Sequence, residues 1–189
     1  ARRARDATAA LRLPADDKNE NSRVLGSVAF SPDGKLVAGA FGNFNGMLAK
    51  PIPGQAVVWD IQTGQYRASL LGLRDCVNAV AFSPDGKLIA TTGFQGEIKL
   101  WQTEGAKELT SFQRKAVAVS VAFSPDGKLF AVGLNTSGTQ AEGDHNLELY
   151  DVASRRLVRR FIAGGWGIAS VAFSPAGDML ASGGDDGTV

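Results

Sequence analysis

Apolar residues in this chain come in short runs, each ended by a cluster of turn formers. The clearest stretch is "VNAVAFSPDGKLIATTG", in which Val77 to Phe82 is nearly all apolar, as suits a strand covered on both faces. Ser83-Pro84-Asp85-Gly86 then reverses the chain. Pro presets φ for the first corner of a type I turn, Asp tolerates the second, and Gly accepts the positive φ that follows. Lys87 to Thr92 returns as a second strand, "EIKLWQ" (Glu97 to Gln102) alternates like a half-buried third, and "KELTSF" (Lys107 to Phe112) makes an outermost fourth. Helical periodicity is absent throughout, so the pattern predicts an all-β chain of four-stranded antiparallel units.

The unit recurs. "VAFSPDGKL" begins at Val28, Val80 and Val121, and "VAFSPAGDML" begins at Val171, so the copies lie 52, 41 and 50 residues apart (80−28, 121−80, 171−121). A period of this size signals a stacked or radial repeat, and a four-stranded unit of about 40 to 45 residues is the size of a propeller blade. "VAFSPDGKLIATTGFQGEIKLWQ", "AVVWDIQTGQ" (Ala56 to Gln65) and "LELYDVASRR" (Leu147 to Arg156) resemble tryptophan-aspartate (WD) repeats, over almost the whole chain from about Asp6 onward. The near identity of the copies is similar to that of bacterial-type WD-repeat proteins. The resemblance implies a WD-repeat β-propeller in an open or partial ring of about four blades. Residues 1–23 would be the end of a preceding blade and a link, 24–70, 71–112 and 113–162 three blades, and 163–189 an incomplete last one. Because the chain starts at Ala1 and stops at Val189 just after a turn signal, it reads as an arc cut from a larger ring, with a closed four-blade form as the alternative. Structural roles are expected for Phe30, Phe82, Phe123 and Phe173 packed with Trp59, Trp101 and Tyr150, for the turns at Pro32, Gly34, Pro84, Gly86, Pro125 and Gly127, and for Asp60, Asp151 and Asp186.

Differences between the copies point to a binding surface. From the turn Gly to the third-strand aromatic is 25 residues in the first blade (59−34), 15 in the second (101−86) and 23 in the third (150−127). The extra length is "GNFNGMLAKPIPGQ" (Gly42 to Gln55) and "NTSGTQAEGDHN" (Asn135 to Asn146), both rich in loop formers. Antiparallel succession puts these loops on the rim that carries the links between blades, opposite the Ser-Pro-Asp-Gly turns. Long loops on a rigid frame are where binding resides. The expected contact residues are Asn43, Phe44, Asn45, Met47, Leu48, Lys50, Asn135, Asp144, His145 and Trp166. Each has a plainer reading: the apolar ones as loop residues folded onto their own blades, Asp144-His145-Asn146 as a turn, and Trp166 as packing.

The chain also departs from the family's pattern. The Gly-His pair that precedes the inner strand in that family reads Gly72-Leu73 in one blade and Gly164-Gly165 in another, and the turn Asp is replaced by Gln95. Only Asp186, with Ser182, keeps the expected types. The buried hydrogen-bond networks are thus expected to be incomplete, leaving the blades to apolar packing.

Composition narrows the function. Twenty basic and nineteen acidic residues leave a net charge of +1, so no global field draws the chain to nucleic acid or an anionic membrane. Cys76 is the only cysteine and His145 the only histidine, and no nucleophile, base and oxyanion donors converge. The expectation is a cytoplasmic, non-catalytic scaffold for a protein or peptide partner, with no catalytic residues, cofactor or metal. An enzymatic propeller of lactonase or peptidase-associated type is one alternative. Nucleic-acid binding through "ARRAR" and the Arg155, Arg156, Arg159 and Arg160 stripe is another, and self-association through open sheet edges a third. The stripe's plainer reading is solvated charge that keeps an outer strand from pairing with strangers.

Overall fold

A computed structural model describes residue 11 and residues 24–42, 53–136, 146–163 and 167–189. The described chain is an all-β meander. The first sheet orders β1 (Val24–Phe30), β2 (Leu36–Gly42), β3 (Gln55–Asp60) and β4 (Tyr66–Leu70). The second orders β5 (Val77–Phe82), β6 (Leu88–Gly93), β7 (Glu97–Gln102) and β8 (Glu108–Gln113), and the third β9 (Val117–Phe123), β10 (Leu129–Asn135), β11 (Leu147–Asp151) and β12 (Arg156–Phe161). A two-stranded sheet, β13 (Ile168–Phe173) with β14 (Leu180–Gly184), comes last. Neighbouring strands are antiparallel throughout, and the inner strands β1, β5, β9 and β13 stand side by side in succession. The result is an open arc of propeller blades. Strands β5 and β7 have the bounds read from sequence, β6 and β8 start one residue later, and a single 3₁₀ turn at Glu104–Ala106 separates β7 from β8.

The repeated turns are held by more than their backbone preferences. In the first, the Ser31 hydroxyl donates to Asp33 Oδ1 at 2.7 Å, the Lys35 amide donates to the same oxygen at 3.0 Å, and the Leu36 amide donates to Ser31 Oγ at 2.8 Å. Ser83, Asp85, Lys87 and Leu88 repeat this geometry, as do Ser124, Asp126, Lys128 and Leu129. In the last copy Ala176 stands where the others have Asp, and Asp178 takes the Ser174 hydroxyl at 2.7 Å instead. The turn glycines have φ of 70° (Gly34), 71° (Gly86), 70° (Gly127) and 78° (Gly177), a region that disfavours any side chain. Successive turns also stack, since a Cβ on Gly127 would lie 3.3 Å from Pro84 and one on Gly177 3.3 Å from Pro125.

Each interior blade boundary is built alike. At the first, Ala38, Ala40, Ala56 and Val58 receive Val77, Val80 and Phe82 of the next blade, in one cluster with Leu73, Ile89 and Trp101. Ile98, Ala116, Ala118, Phe130, Val132, Leu134 and Tyr150 join the second blade to the third, and Ala131, Leu147, Ile168 and Val171 join the third to the last. Of the expected aromatic set, Phe82 packs with Trp101, and Phe123 lies 5.8 Å from Phe130, which stacks on Tyr150 at 4.8 Å. Phe173 is partly buried in the third cluster. Phe30 corrects the expectation: it is 68% exposed, and Trp59 takes Phe41 as its edge-on partner at 5.8 Å. The reason is positional. Leu25, Val28 and Phe30 occupy the places that Val77, Val80 and Phe82 hold one blade later, and no described residue covers their face of β1.

These contacts generate two expectations. Phe82→Ala lowers stability in urea titration by about 3 to 5 kcal/mol, as for a large buried aromatic, whereas Phe30→Ala changes it by no more than about 0.5 kcal/mol, as at a surface site. Equal losses would refute the assignment of faces. The second concerns acid. Hydrogen bonds from the serine hydroxyls, and then from the lysine amides, hold Asp33, Asp85 and Asp126 below the ordinary 3.8. A depressed carboxylate contributes stability that is present above its unfolded value and lost as pH falls through the folded one. The melting temperature should therefore be level above about pH 5 and drop from about pH 4 downward. A D33N/D85N/D126N variant should start lower and decline less steeply, and an acid limb as steep as the wild type's would remove the turns as its cause.

Candidate functional site

The meander fixes which groups share a rim. The Ser-Pro-Asp-Gly turns and the third-to-fourth-strand turns emerge at one end, and the second-to-third-strand loops emerge at the other with the links between blades. Packing at the loop roots shows this directly. A Cβ on Gly42, where the first insertion leaves β2, would lie 2.2 Å from Cys76 Cα, and one on Gly54, where it re-enters, 1.9 Å from the Asp75 carbonyl oxygen. Both ends of that loop are thus pressed onto the link from β4 to β5, with no room for a side chain between. At the second insertion Asn135 bridges Gly167 on the link from β12 to β13, and Asn146 Oδ1 accepts from the Ala163 amide at 2.8 Å.

Of the contact residues expected from sequence, Asn135 lies among the described residues, half-buried at the end of β10. Asn43, Phe44, Asn45, Met47, Leu48, Lys50, Asp144, His145 and Trp166 lie outside them.

What the sequence reading missed is a row of buried polar groups along this rim. Gln55, Glu97 and Asn146 stand at equivalent places, four residues before Trp59, Trp101 and Tyr150, and all three are buried. Glu97 accepts from the Arg74 amide at 2.9 Å and faces its side chain at 3.7 Å, which ties β7 to the link entering its own blade. Two residues further along, Lys99 donates to the Gly72 carbonyl at 2.9 Å and to Glu108 at 2.8 Å, and lies 5.4 Å from the Trp101 ring centre. Its counterpart in the third blade is Glu148, which is 2% exposed. Glu148 accepts from Arg114 Nε at 2.7 Å, from Arg160 Nε at 3.0 Å and from the Tyr150 hydroxyl, while Arg114 Nη2 donates to Tyr150 Oη at 2.7 Å. Burial, and then the neighbouring Glu148 charge, push the Tyr150 phenol well above its usual range.

In the second blade the family's own network stays incomplete, with Leu73 and Gln95 in the places of its His and Asp, but the blades do not rest on apolar packing alone. In the second blade Trp101 Nε1 donates to Thr91 Oγ1 at 2.9 Å inside the sheet. In the third, Arg114 stands nine residues before Phe123, as Leu73 does before Phe82, and reaches the acid and the aromatic from the link. A basic residue there, with a Glu two places before the Tyr, was the available signal. Asp60, just after Trp59, closes the third-to-fourth turn. Its Oδ2 takes Arg67 Nη2 at 2.6 Å and its Oδ1 takes the Thr63 amide at 2.9 Å, which hold its carboxyl down to about 2. Asp151 accepts from the Ser154 amide at 2.7 Å in the same way, and Asp186 accepts from the Thr188 amide and hydroxyl at 3.0 and 2.6 Å.

On the opposite rim a groove of about 700 Å³ opens between the first two blades, floored by Leu36, Val58 and Ala68 and edged by Arg67, Lys87 and Glu104. Among the described residues no group of three or more His, Cys, Asp or Glu is placed to hold a metal ion, and no helix is long and apolar enough to cross a membrane.

Comparison with known proteins agrees with the geometry. Residues 52–163 match the family model of eukaryotic translation initiation factor eIF2A, and residues 156–189 that of the WD domain, G-beta repeat. Among curated proteins, periodic tryptophan protein 2 homolog of Dictyostelium discoideum is 28% identical over 131 residues, covering 69% of this chain and 14% of that protein. Periodic tryptophan protein 2 of Arabidopsis thaliana is 30% identical over 131 residues, with the same coverage of 69% and 14%. Angio-associated migratory cell protein of Homo sapiens is 34% identical over 59 residues, 31% of this chain and 14% of that protein. The chain thus spans about 14% of the length of each of these three relatives. Family models reaching from residue 52 to 189, together with successive antiparallel blades set side by side by their inner strands, show that the chain belongs to the WD-repeat β-propeller family.

Proposed function

We propose that the chain is a non-catalytic scaffold that binds a protein or peptide partner on the rim carrying the two long loops. The carrying observation is the seating of the first loop's roots. Gly42 against Cys76 and Gly54 against Asp75 fix both ends of the insertion to a link that Glu97 holds in turn. Long loops rooted on a rigid frame are where binding resides. The contact set is Asn43, Phe44, Asn45, Met47, Leu48 and Lys50 from the first loop, Asn135, Asp144 and His145 from the second, and Trp166 from the nearby link. Aromatic and Met side chains are the types that carry interface energy.

The test replaces residues 43–53 by a short Gly-Ser turn, keeping Gly42 and Gln55, which belong to the strands. Partners recovered on immobilised wild type and quantified by mass spectrometry should fall at least about tenfold on the variant, the weight of a loop holding an interface anchor. The melting temperature should stay within a few degrees. Unchanged recovery would remove this loop from the binding surface.

A further inference from the structure

The outer edge of the third blade differs from the other two. β4 carries one arginine, Arg67, which is neutralised by Asp60 at 2.6 Å, and the Glu108 of β8 is neutralised by Lys99 at 2.8 Å. Between residues 155 and 162 the third blade reads "RRLVRRFI", with four arginines and no acid. Arg160 is taken by Glu148, which Arg114 already shares. Arg155, Arg156 and Arg159 are exposed, and among the described residues no carboxylate lies within ion-pair distance of them. Arg155 reaches the Leu109 carbonyl at 3.2 Å, and Arg159 lies 4.9 Å from the Phe161 ring centre. Two apolar side chains stand in the same stretch: Val158, the extra residue where the register slips between Leu149 and Tyr150, is 58% exposed, and Ile162 is 67% exposed. Among described strands β12 pairs only with β11, so one line of its backbone amides and carbonyls is unpaired.

We infer that this edge is a docking site for an acidic, extended peptide segment that adds to the blade as a further strand. Charged side chains are one device that keeps an edge strand from pairing. Here exposed Val158 and Ile162 add apolar contact beside the charge, and the arginines act as a filter. They repel a second copy of the same basic edge and attract a strand bearing carboxylates, for which guanidinium is the better-matched cation. A peptide backbone supplies the missing hydrogen bonds, and its alternate side chains supply the apolar contact and the charge. A nucleic acid would satisfy the arginines and leave the backbone edge and both apolar groups unmatched. The site runs along the periphery and meets the loop rim only at Ile162, and none of its residues belongs to the proposed contact set, so it stands or falls independently of the proposed function.

The experiment measures fluorescence anisotropy of a fluorescein-labelled (Glu-Val)4 peptide with the whole chain at low salt. Saturable binding is expected, weakened about tenfold or more by R156E/R159E, as for loss of complementary charges, and recovered by that variant with (Lys-Val)4. Two N-methylated forms, blocked at the odd or the even residues, probe strand addition on the wild type and need no variant. One form should lose binding and the other keep it, because alternate amides of an added strand face the edge. Absence of saturable binding, equal binding of both N-methylated forms and the parent, equal binding of (Lys-Val)4 to the wild type, or equally tight binding of an oligothymidine of the same charge would each overturn the proposal. The melting temperature of R156E/R159E shows whether it folds; if it does not, the N-methylated and oligothymidine arms decide.

Discussion

A sheet that is apolar on both faces must be covered on both, and the whole arrangement follows from how this chain meets that demand. The second blade's inner strand offers branched and aromatic side chains, Val77, Val80 and Phe82, to a face of small residues, Ala38, Ala40 and Ala56, in the blade before. Small against large lets the sheets approach closely along the inner strands, while the outer strands diverge. Sheets that meet closely at one edge and splay at the other can only be set radially. The contact repeats with each blade because the sequence repeats, so stability accumulates boundary by boundary, as in other quasi-one-dimensional arrays.

That boundary sets where polar groups can go. Most positions facing a neighbouring blade are apolar, and buried polar side chains sit at the serine turns, at Thr91 and Thr92 within the second sheet, and where a link crosses from one blade to the next. There the chain leaves a strand and its backbone groups need partners. Glu97 takes the Arg74 amide, Asn146 the Ala163 amide, and Lys99 the Gly72 carbonyl. Glu148 does more, since two arginines and a tyrosine share one carboxylate at 2% exposure. A lone buried carboxylate would be costly, and a fully satisfied one fixes the link, the third strand and the outer strand relative to one another.

The fold was legible because its determinants are local and repeated. A Val-Ala-Phe strand, a Ser-Pro-Asp-Gly turn and a returning strand are specified within a few residues of one another, and β5 and β7 fall where their text puts them. The side-chain networks were not legible, because they join residues far apart in the chain: Arg114 and Glu148 are 34 apart. A comparison of Arg114 with Leu73 at matched positions hints at the pairing, but only coordinates show that Tyr150 completes it. Phe30 fails for a related reason. Its sequence is that of Phe82, and its burial depends on whether another sheet stands in front of it, which no local motif encodes. The lock on the turns lies between these cases: the Ser and Asp are plain in the text, and the transfer of the acid's role to Asp178 in the last copy appears only in three dimensions.

The residues that hold the blades together recur along the chain. Repeated residues, the ones a blade cannot vary without losing its neighbour, face other blades or close turns. Residues that differ between blades lie on outer edges and also inside the blades, where Lys99 answers to Glu148 and Leu73 to Arg114. The outer strands show how far such drift can go. β4 and β8 have their charges answered within the blade, by Asp60 and Lys99, so each edge is electrostatically closed. In β12 the one nearby buried acid is already committed to holding Arg114 and Arg160, and the remaining arginines have nothing inside the blade to pair with. The edge is basic because four arginines stand there and the buried acid answers only one of them, Arg160.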